Sequence, residues 1–268
     1  MSLENLHIEF LTSTMNGVWP KLCDQAVAMN CDVLIINQHR DEQDRLEPKE
    51  GIRVYNYRER GVARSRNRAL SHARGDVCVF CDNDVTLVPD IVNVLQKACR
   101  AMPESDILTF RIRTPEGRLY RNYRTSSFSH NLLSIASVRE MEIVFRLAPI
   151  KRIGLRFDER FGLGSAFPTG EGNIFLADAL KKNLRIAFVP EELIIHPWMS
   201  SGKRFENKEL MIAKGALFRR MYGPAGAILS RALTLIKYPY YKKHYGLAQA
   251  LQLIGEGERL YVQSKNRD

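Results

Sequence analysis

The chain has 268 residues, with 45% hydrophobic and 26% charged side chains. This length suits one large domain or two small ones, and the composition excludes a wholly disordered or collagen-like chain. The net charge is +10, and residues 203–243 contribute +8 of it through ten basic and two acidic side chains. The basic character therefore belongs mainly to one segment near the C-terminus.

The first half of the sequence alternates between strand-like and helix-like patterns. In chain order, the pattern predicts a strand over His7–Thr12, a helix over Trp19–Met29, strands over Asp32–Ile36 and Ile52–Tyr57, a helix over Val62–Ala73, a strand over Val77–Cys81 and a helix over Pro89–Met102. Such alternation favours an α/β fold whose sheet is mostly parallel and covered by crossover helices.

The pattern changes in the second half. It predicts a hairpin from Ile107–Arg113 and Leu119–Tyr123, a strand over Leu132–Ser137, an irregular stretch over Leu155–Ala166, a helix over Gly170–Asn183, and short strands over Arg185–Val189 and Leu193–His196. The acidic start and basic end of the Gly170–Asn183 segment suit a helix dipole. Beyond Pro197 the sequence is basic and helical in character.

Cysteine usage and the chain termini bear on location. Five cysteines cannot all pair. Cys78 and Cys81 lie in an apolar strand pattern, where positions three apart face opposite sides, so a metal or redox role is disfavoured. Unpaired buried cysteines suit a reducing compartment. With no signal peptide at the N-terminus and no apolar run of about 18 residues, the sequence predicts a cytoplasmic protein.

The triplet Asp82-Asn83-Asp84 directly follows the predicted strand Val77–Cys81. Ligands of open parallel sheets bind beyond the C-terminal ends of the strands. Two carboxylates there are hard oxygen ligands suited to Mg²⁺ or Mn²⁺, which substrate phosphates usually help to hold. The alternative interpretation is a polar turn, because Asp and Asn are common turn residues.

The residues before this triplet carry a compound motif. Gly61 is followed by Arg64-Ser65-Arg66-Asn67-Arg68 at the start of a predicted helix, then by Gly75-Asp76, the apolar strand and the Asp-x-Asp triplet. In this order and spacing the sequence resembles the family 2 nucleotide-sugar glycosyltransferases, which have the GT-A fold. The resemblance covers residues 5 to 200 and leaves the basic tail unexplained.

The second half extends the resemblance. The segment 154–164 is similar to the acceptor-side motif of the family, and Gly170-Glu171 is similar to its Gly-Glu-Asp motif, which supplies the catalytic base. The last position of that motif is Gly172 here, which cannot take a proton, so Glu171 is assigned as the base, with Asp158 and Glu159 as rivals. His196, before Pro197, resembles the late His that approaches the metal or diphosphate.

The resemblance implies a fold, a domain division and a reaction. The fold is a Rossmann-like, mostly parallel sheet flanked by helices. Residues 1–200 form the GT-A domain, with a nucleotide-binding half (1–104) and an acceptor half (105–200), and residues 201–268 form a helical basic extension. The expected activity is metal-dependent transfer of a sugar from a nucleotide diphospho-sugar, with inversion at the anomeric carbon. The expected donor is a UDP-sugar, and the expected acceptor is a hydroxyl of a lipid-linked or growing glycan in polysaccharide biosynthesis.

The resemblance also assigns residue roles. Mn²⁺ or Mg²⁺ would be held by Asp84 and His196, and Glu171 would be the catalytic base. The donor nucleotide would be bound by Thr12, Asn37, Arg66, Asn67, Asp82 and Asn83.

The basic segment 203–245 mixes cations with apolar and aromatic residues. This mixture suits an interfacial helix on an anionic membrane, which would place the enzyme on the inner face of the membrane. A helical extension that packs on the core with its charges in water explains the pattern equally well.

Two other functions remain open at this point. A net charge of +10 and an Arg-rich helix are compatible with a nucleic-acid-binding protein without enzymatic activity, although the sequence contains no nucleic-acid-binding motif. A nucleotidyltransferase would also use carboxylates, a metal and a nucleotide. The segment Thr12–Gly17 is, however, a poor match to the Gly-rich basic loop that such enzymes carry after the first strand.

Overall fold

The apolar run Val77–Cys81 forms an internal strand of a mixed nine-stranded sheet. The computed structural model describes residues 6–197 and 207–265. The N-terminal residues 1–5 and the first part of the predicted membrane segment, 203–206, lie outside the described residues. In the described part the strands are β1 (Ile8–Met15), β2 (Asp32–Gln38), β3 (Ile52–Tyr57), β4 (Val77–Cys81), β5 (Thr86–Leu87), β6 (Ile107–Arg113), β7 (Phe128–Ser129), β8 (Ile143–Arg146) and β9 (Ile186–Ile195).

The helices connect these strands and then continue beyond them. They are α1 (Cys23–Ala28), α2 (Val62–His72), α3 (Ile91–Ala101), α4 (Leu147–Arg152), α5 (Glu171–Lys181), α6 (Lys208–Tyr222), α7 (Ala225–Tyr241) and α8 (Leu247–Lys265). No helix within residues 6–197 and 207–265 is long and apolar enough to cross a bilayer.

The sheet order is β3-β2-β1-β4-β8-β6-β9-β5, and β7 pairs with β9. Strands β3, β2, β1 and β4 are mutually parallel, as are β6 and β9. Strand β8 lies antiparallel between β4 and β6. The mostly parallel α/β fold predicted from the sequence is therefore confirmed.

Both faces of the sheet are covered. On one face, Leu22 near α1 and Leu95 of α3 belong to an apolar cluster that also contains residues of β1 and β2. On the other face, Phe80 of β4 packs against Phe145, Phe157 and Phe175, with ring centroids 4.8–5.9 Å away. Burial on both sides explains why β4 reads as a continuous apolar run. All five cysteines are buried free thiols.

Three sequence predictions of local structure are wrong. Leu132–Ser137 is not a strand, because Asn131 Oδ1 accepts hydrogen bonds from the Leu133 and Ser134 amides and starts a 3₁₀ turn at 134–137. Leu119–Tyr123 is not a strand, although the predicted hairpin turn forms: Arg113 and Leu119 make an antiparallel bridge, and the Tyr120 amide donates to the Ile112 carbonyl at 2.9 Å. The two strands expected over 185–196 form one strand, β9, whose register with β6 shifts between Phe188 and Glu192, around Pro190. A bulge there accommodates a residue that lacks a backbone N–H.

The chain divides into two units. The first comprises Met1–Arg60, Arg64–Phe157 and Phe175–Trp198, which include the whole sheet. The second comprises Gly61–Ala63, Asp158–Ile174 and Met199–Asp268, which include α6, α7 and α8. The predicted boundary at residue 200 stays a prediction.

Helices of the second unit approach one another through glycines. A Cβ added to Gly257 of α8 would lie 1.8 Å from the Ile212 carbonyl oxygen of α6, and one added to Gly215 of α6 would lie 2.0 Å from the Ile254 oxygen of α8. Distances this short to backbone atoms cannot be relieved by a side-chain rotation. The α6–α8 packing therefore requires glycine at both positions.

This packing predicts opposite effects for two neighbouring glycines. Gly257→Ala should lower the free energy of unfolding by about 2–3 kcal/mol, because the new methyl group forces the helices apart. Gly255→Ala is the matched control, since its Cβ would meet only Arg231 Nη2 at 3.6 Å. That change should be neutral or stabilise by up to about 1 kcal/mol through helix propensity. Urea unfolding of both variants measures the difference, and equal stabilities would contradict the close packing.

Candidate active site

Strands β1, β2 and β4 end at the same edge of the sheet because they are parallel. The register pairs Thr12 of β1 with Cys81, the last residue of β4, and Thr14 with Asn37 of β2. Asp82 follows Cys81 directly, so the sheet places the start of the acidic triplet beside the end of β1. This is the edge at which open parallel sheets bind ligands.

The short strand β5 brings Asp84 beside His196. Thr86 of β5 pairs with Ile195, the last residue of β9. Asp84 precedes Thr86 by two residues and His196 follows Ile195, so their side chains meet with Asp84 Oδ1 3.5 Å from His196 Nε2. The pairing of two distant segments thus assembles two residues that the sequence assigned to a metal.

The His196 ring is buried, whereas the Asp84 side chain is 55% exposed. The His196 amide donates to the Arg113 carbonyl at 2.9 Å, and the Tyr120 ring meets the imidazole edge-on with centroids 5.9 Å apart. The imidazole Nδ1 is buried without a hydrogen-bond partner in the described structure. Backbone pairing and the Tyr120 ring therefore fix the imidazole, and Nε2 is its atom nearest to Asp84.

Asp82 lies in a region of crowded negative charge. Its Oδ1 accepts a hydrogen bond from Arg66 Nη2 at 3.2 Å. Desolvation raises the pKa of Asp82 above its ordinary value; the Arg66 guanidinium opposes this rise, whereas the charges of Glu140 and Asp84 add to it. Arg66 itself is buried, with its guanidinium carbon 5.7 Å from the centre of the Phe157 ring.

Asn37 organises the loops at this edge of the sheet. Its Oδ1 accepts from the Gly17 amide at 3.2 Å, and its Nδ2 donates to the Asp44 carbonyl and to Asn56 Oδ1, both at 2.8 Å. Thr12 is also fully buried, and its Oγ1 has no hydrogen-bond partner in the described structure. Of these two among the predicted nucleotide-binding residues, Asn37 hydrogen-bonds within the protein, whereas the Thr12 hydroxyl has no hydrogen-bond partner in the described structure.

Asn67 and Asn83 have backbone partners. Asn67 donates from Nδ2 to the Phe157 carbonyl at 3.0 Å and accepts at Oδ1 from the Phe157 amide at 2.8 Å. The Asn83 carbonyl accepts from the Lys21 amide at 3.0 Å. Asn67 therefore ties α2 to the segment before residue 158, and its role toward a nucleotide stays a prediction.

Glu171 belongs to the second unit, where it is the first residue of α5 and is buried. Gly162 makes room for its carboxylate, because a Cβ at that position would lie 2.9 Å from Glu171 Cδ and 2.6 Å from Val62 Cγ1. Gly162 also has a φ of +99°, which side chains rarely adopt. The acceptor-side motif thus contacts the predicted base directly.

Asp158, one rival for the base role, is held by two arginines. Its carboxylate accepts from Arg160 Nε and Nη2 at 2.9 and 2.7 Å, and from Arg220 Nε of α6 at 2.8 Å. Burial alone would raise the pKa of Asp158, but these hydrogen bonds hold it below its usual value. A carboxylate stabilised in this way is a poor proton acceptor. The other rival, Glu159, is exposed.

Asp84 and His196 supply a carboxylate oxygen and an imidazole nitrogen, donors that Mn²⁺ accepts. Within residues 6–197 and 207–265, no group of three or more His, Cys, Asp or Glu is placed to hold a metal ion. Phosphate oxygens and water would have to complete the coordination, as is usual for Mg²⁺ and Mn²⁺ at nucleotide sites. The residues present fit a metal that binds together with a diphosphate.

The sequence of this region matches a known family. The model of glycosyl transferase family 2 matches residues 21–162, from the start of α1 through the acidic triplet to Gly162. The chain belongs to this family. It is therefore a nucleotide-sugar glycosyltransferase, as the motifs around Asn67 and Asp84 predicted, and this decides against a protein that only binds nucleic acids. No curated protein matches the chain by sequence.

Several solved structures share the fold. The S. aureus TarS 1–349 complex with UDP is 16% identical, with a TM-score of 0.55 over 87% of this chain and 72% of that one. The TarS 1–349 complex with UDP-GlcNAc is 14% identical, with a TM-score of 0.58 over 97% of this chain and 92% of that one. At these identities the similarity shows the fold alone, and it agrees with the GT-A architecture of the glycosyltransferase.

The sequence reasoning missed two residues near the acidic triplet. Tyr120 packs against His196, and Glu140, in a 3₁₀ turn before β8, is near enough for its charge to raise the pKa of Asp82. Neither residue lies in a recognisable motif. Only the strand order β4-β8-β6-β9, which places these segments on the same side of β4, reveals them.

The raised pKa of Asp82 predicts a gain of stability when its charge is removed. The pKa of Asp82 in the folded chain lies above its ordinary value of 3.8, which the unfolded chain keeps. The free energy of unfolding therefore falls as the pH rises from the unfolded-chain pKa to the folded-chain pKa, and this loss persists at neutral pH. Asp82→Asn cannot ionise, so in metal-free buffer its melting temperature at neutral pH should exceed that of the wild type. The difference should shrink on acidification.

The control for this experiment is Asp24→Asn, which removes an exposed carboxylate from the first turn of α1. It measures the effect of losing one negative charge from a basic protein. If Asp82→Asn melts no higher than the wild type and the Asp24→Asn control at neutral pH, the raised pKa of Asp82 is contradicted.

Proposed function

We propose that the protein transfers a sugar from a UDP-sugar to a hydroxyl group with inversion at the anomeric carbon, and that the reaction needs Mn²⁺ or Mg²⁺. The observation that carries this proposal is the pair Asp84 and His196, whose donor atoms lie 3.5 Å apart beyond the end of β4. Asp82, two residues before Asp84, would face the nucleoside.

The choice of UDP rests on the shared fold. Two of the similar TarS structures were solved with UDP and with UDP-GlcNAc. In this chain, Thr12 offers a buried hydroxyl without a hydrogen-bond partner at the same sheet edge, and a buried polar group of this kind gains stability when a ligand satisfies it. Arg66 supports the site by pairing with Asp82.

Asp84 and His196 would hold the metal, and Asp82 would add to the negative field that attracts it. When bound, a divalent ion neutralises the charge that develops on the departing diphosphate. The diphosphate oxygens would complete its coordination, so ion and donor should bind cooperatively.

The chemical step needs one base. The Glu171 carboxylate would accept the proton of the acceptor hydroxyl, and the oxygen would form a bond to the anomeric carbon. The bond from that carbon to the diphosphate oxygen breaks at the same time, and its electron pair leaves with UDP. A single displacement of this kind inverts the anomeric centre. Gly172 leaves Glu171 as the carboxylate in this motif.

The acceptor is proposed to be a lipid-linked or growing glycan of polysaccharide biosynthesis in the cytoplasm. This part of the proposal comes from the resemblance to the family, in which such acceptors are common. The predicted contact of residues 203–245 with a membrane is a separate proposal, and the chemistry above does not depend on it.

Asp84→Asn tests the metal site. An amide is a weaker ligand than a carboxylate, so we expect UDP release from UDP-GlcNAc to fall about 100-fold or more, with the Mn²⁺-dependent part of the UDP-induced thermal shift lost. A variant at the exposed Asp90 of the β5–α3 turn, Asp90→Asn, should retain both properties. Unchanged Mn²⁺ dependence in Asp84→Asn would remove this residue from the metal site.

Glu171→Gln tests the base. Removing a general base costs about 10²–10⁴-fold in kcat, whereas the KM for UDP-GlcNAc should change little, because the amide is isosteric and has no assigned contact with the donor. Glu159→Gln, which alters the exposed rival, should stay close to wild type in UDP release. The reverse result would transfer the base role from Glu171 to Glu159.

A further inference from the structure

Helix α7 has the reverse of the usual polarity. Its buried residues are Gly226, Ser230 and Thr234, together with Tyr241 at the C-terminal end. Its exposed positions include Ile228, Leu235 and Ile236, which are 73%, 52% and 71% exposed. A helix on the surface of a protein in water normally turns its apolar stripe toward the core.

The exposed apolar residues form one continuous stripe. Ala225, Ile228, Ala232, Leu235 and Pro239 follow one another at intervals of three or four residues, so they share one side of the helix. All five are exposed, and so are Ile236 and Tyr240, which widen the stripe at its C-terminal end. We call these seven residues the α7 face.

Polar contacts within the second unit hold α7 in this orientation. Ser230 Oγ donates to Glu258 Oε1 of α8 at 2.8 Å, and Arg231 Nη1 donates to both oxygens of the same carboxylate at 2.8 and 2.9 Å. Gly226 lies against α6, since a Cβ there would be 2.1 Å from the Phe218 carbonyl oxygen. Turning the stripe inward would break these hydrogen bonds and place isoleucine where only glycine fits.

The charges around the α7 face have one sign. Residues 225–246 contain Arg231, Lys237, Lys242 and Lys243 and no acidic residue. All four cations are exposed, and the Arg231 charge is balanced by Glu258. Two copies paired through this face would bring like charges together, whereas lipid phosphates would neutralise them.

We infer that the α7 face docks on an anionic membrane, with α7 lying in the interfacial plane. Exposed isoleucine, leucine and tyrosine enter the acyl boundary, and the lysines at the end of the helix contact lipid phosphates. The helix lies on the bilayer and does not cross it, in agreement with the absence of a spanning helix among the described residues. This inference concerns a surface and holds whether or not the proposed donor and metal are correct.

The experiment is co-sedimentation of the full chain with vesicles of phosphatidylcholine alone or mixed with phosphatidylglycerol. The wild type should bind the mixed vesicles and be released by high salt. Ile228→Ser combined with Ile236→Ser should weaken binding by about tenfold or more, because two exposed apolar side chains no longer enter the lipid. Lys242→Gln combined with Lys243→Gln should reduce the preference for phosphatidylglycerol.

The matched control is Leu260→Ser combined with Val262→Ser, which removes two exposed apolar side chains from α8. This variant should bind vesicles as the wild type does. Since the α7 substitutions are at exposed positions, circular dichroism should be unchanged. Ile236→Trp provides an independent positive readout, because its fluorescence should be quenched by brominated lipids in mixed vesicles.

Three results would overturn the inference. The first is failure of the wild type to bind mixed vesicles, and the second is equal loss of binding in the α7 and α8 variants. The third is a wild-type dimer, seen by light scattering, that the α7 substitutions convert to a monomer while vesicle binding persists. That outcome would assign the α7 face to a second copy of the chain.

Discussion

Crowding of negative charge at one end of β4 is the constraint on which the proposed chemistry depends. Desolvation raises the pKa of Asp82, and the charges of Glu140 and Asp84 add to this rise against the opposing charges of Arg66 and His196. A protein selected for stability alone would have no use for such an arrangement. A site that must attract a divalent ion gains from it, because the ion relieves the repulsion when it binds.

The sheet creates this site by pairing segments that are distant in sequence. Strand β4 ends beside β1 and supplies the acidic triplet, while β5 turns back to pair with β9 and sets Asp84 next to His196. Asn37 and Asn67 act further out, where each uses its amide to hold neighbouring backbone in place. The family motif around Asn67 thus includes residues whose contacts in the free protein are structural.

Much of the parallel half of the fold could be predicted from sequence because β4 and its neighbours have strong local patterns. The strand before Asp82 is apolar throughout, and the motifs place His196 at a strand end, which is where β9 ends. The errors arose where long-range or side-chain effects decide the structure. The Asn131 side chain accepts amide hydrogen bonds and starts a turn where the apolar run predicted a strand. A bulge in the β6–β9 pairing allows β9 to continue through Pro190 as one strand. The inverted polarity of α7 was equally hidden, because the periodicity shows an apolar stripe without showing which way it faces.

The most direct measurement of the central claim is calorimetric titration of Mn²⁺ into the protein with and without UDP. If carboxylate, imidazole and diphosphate share one ion, UDP should strengthen Mn²⁺ binding, and Mn²⁺ should strengthen UDP binding by the same factor. The coupling should disappear in His196→Ala. Equal UDP affinity in the presence and absence of Mn²⁺ would contradict the account.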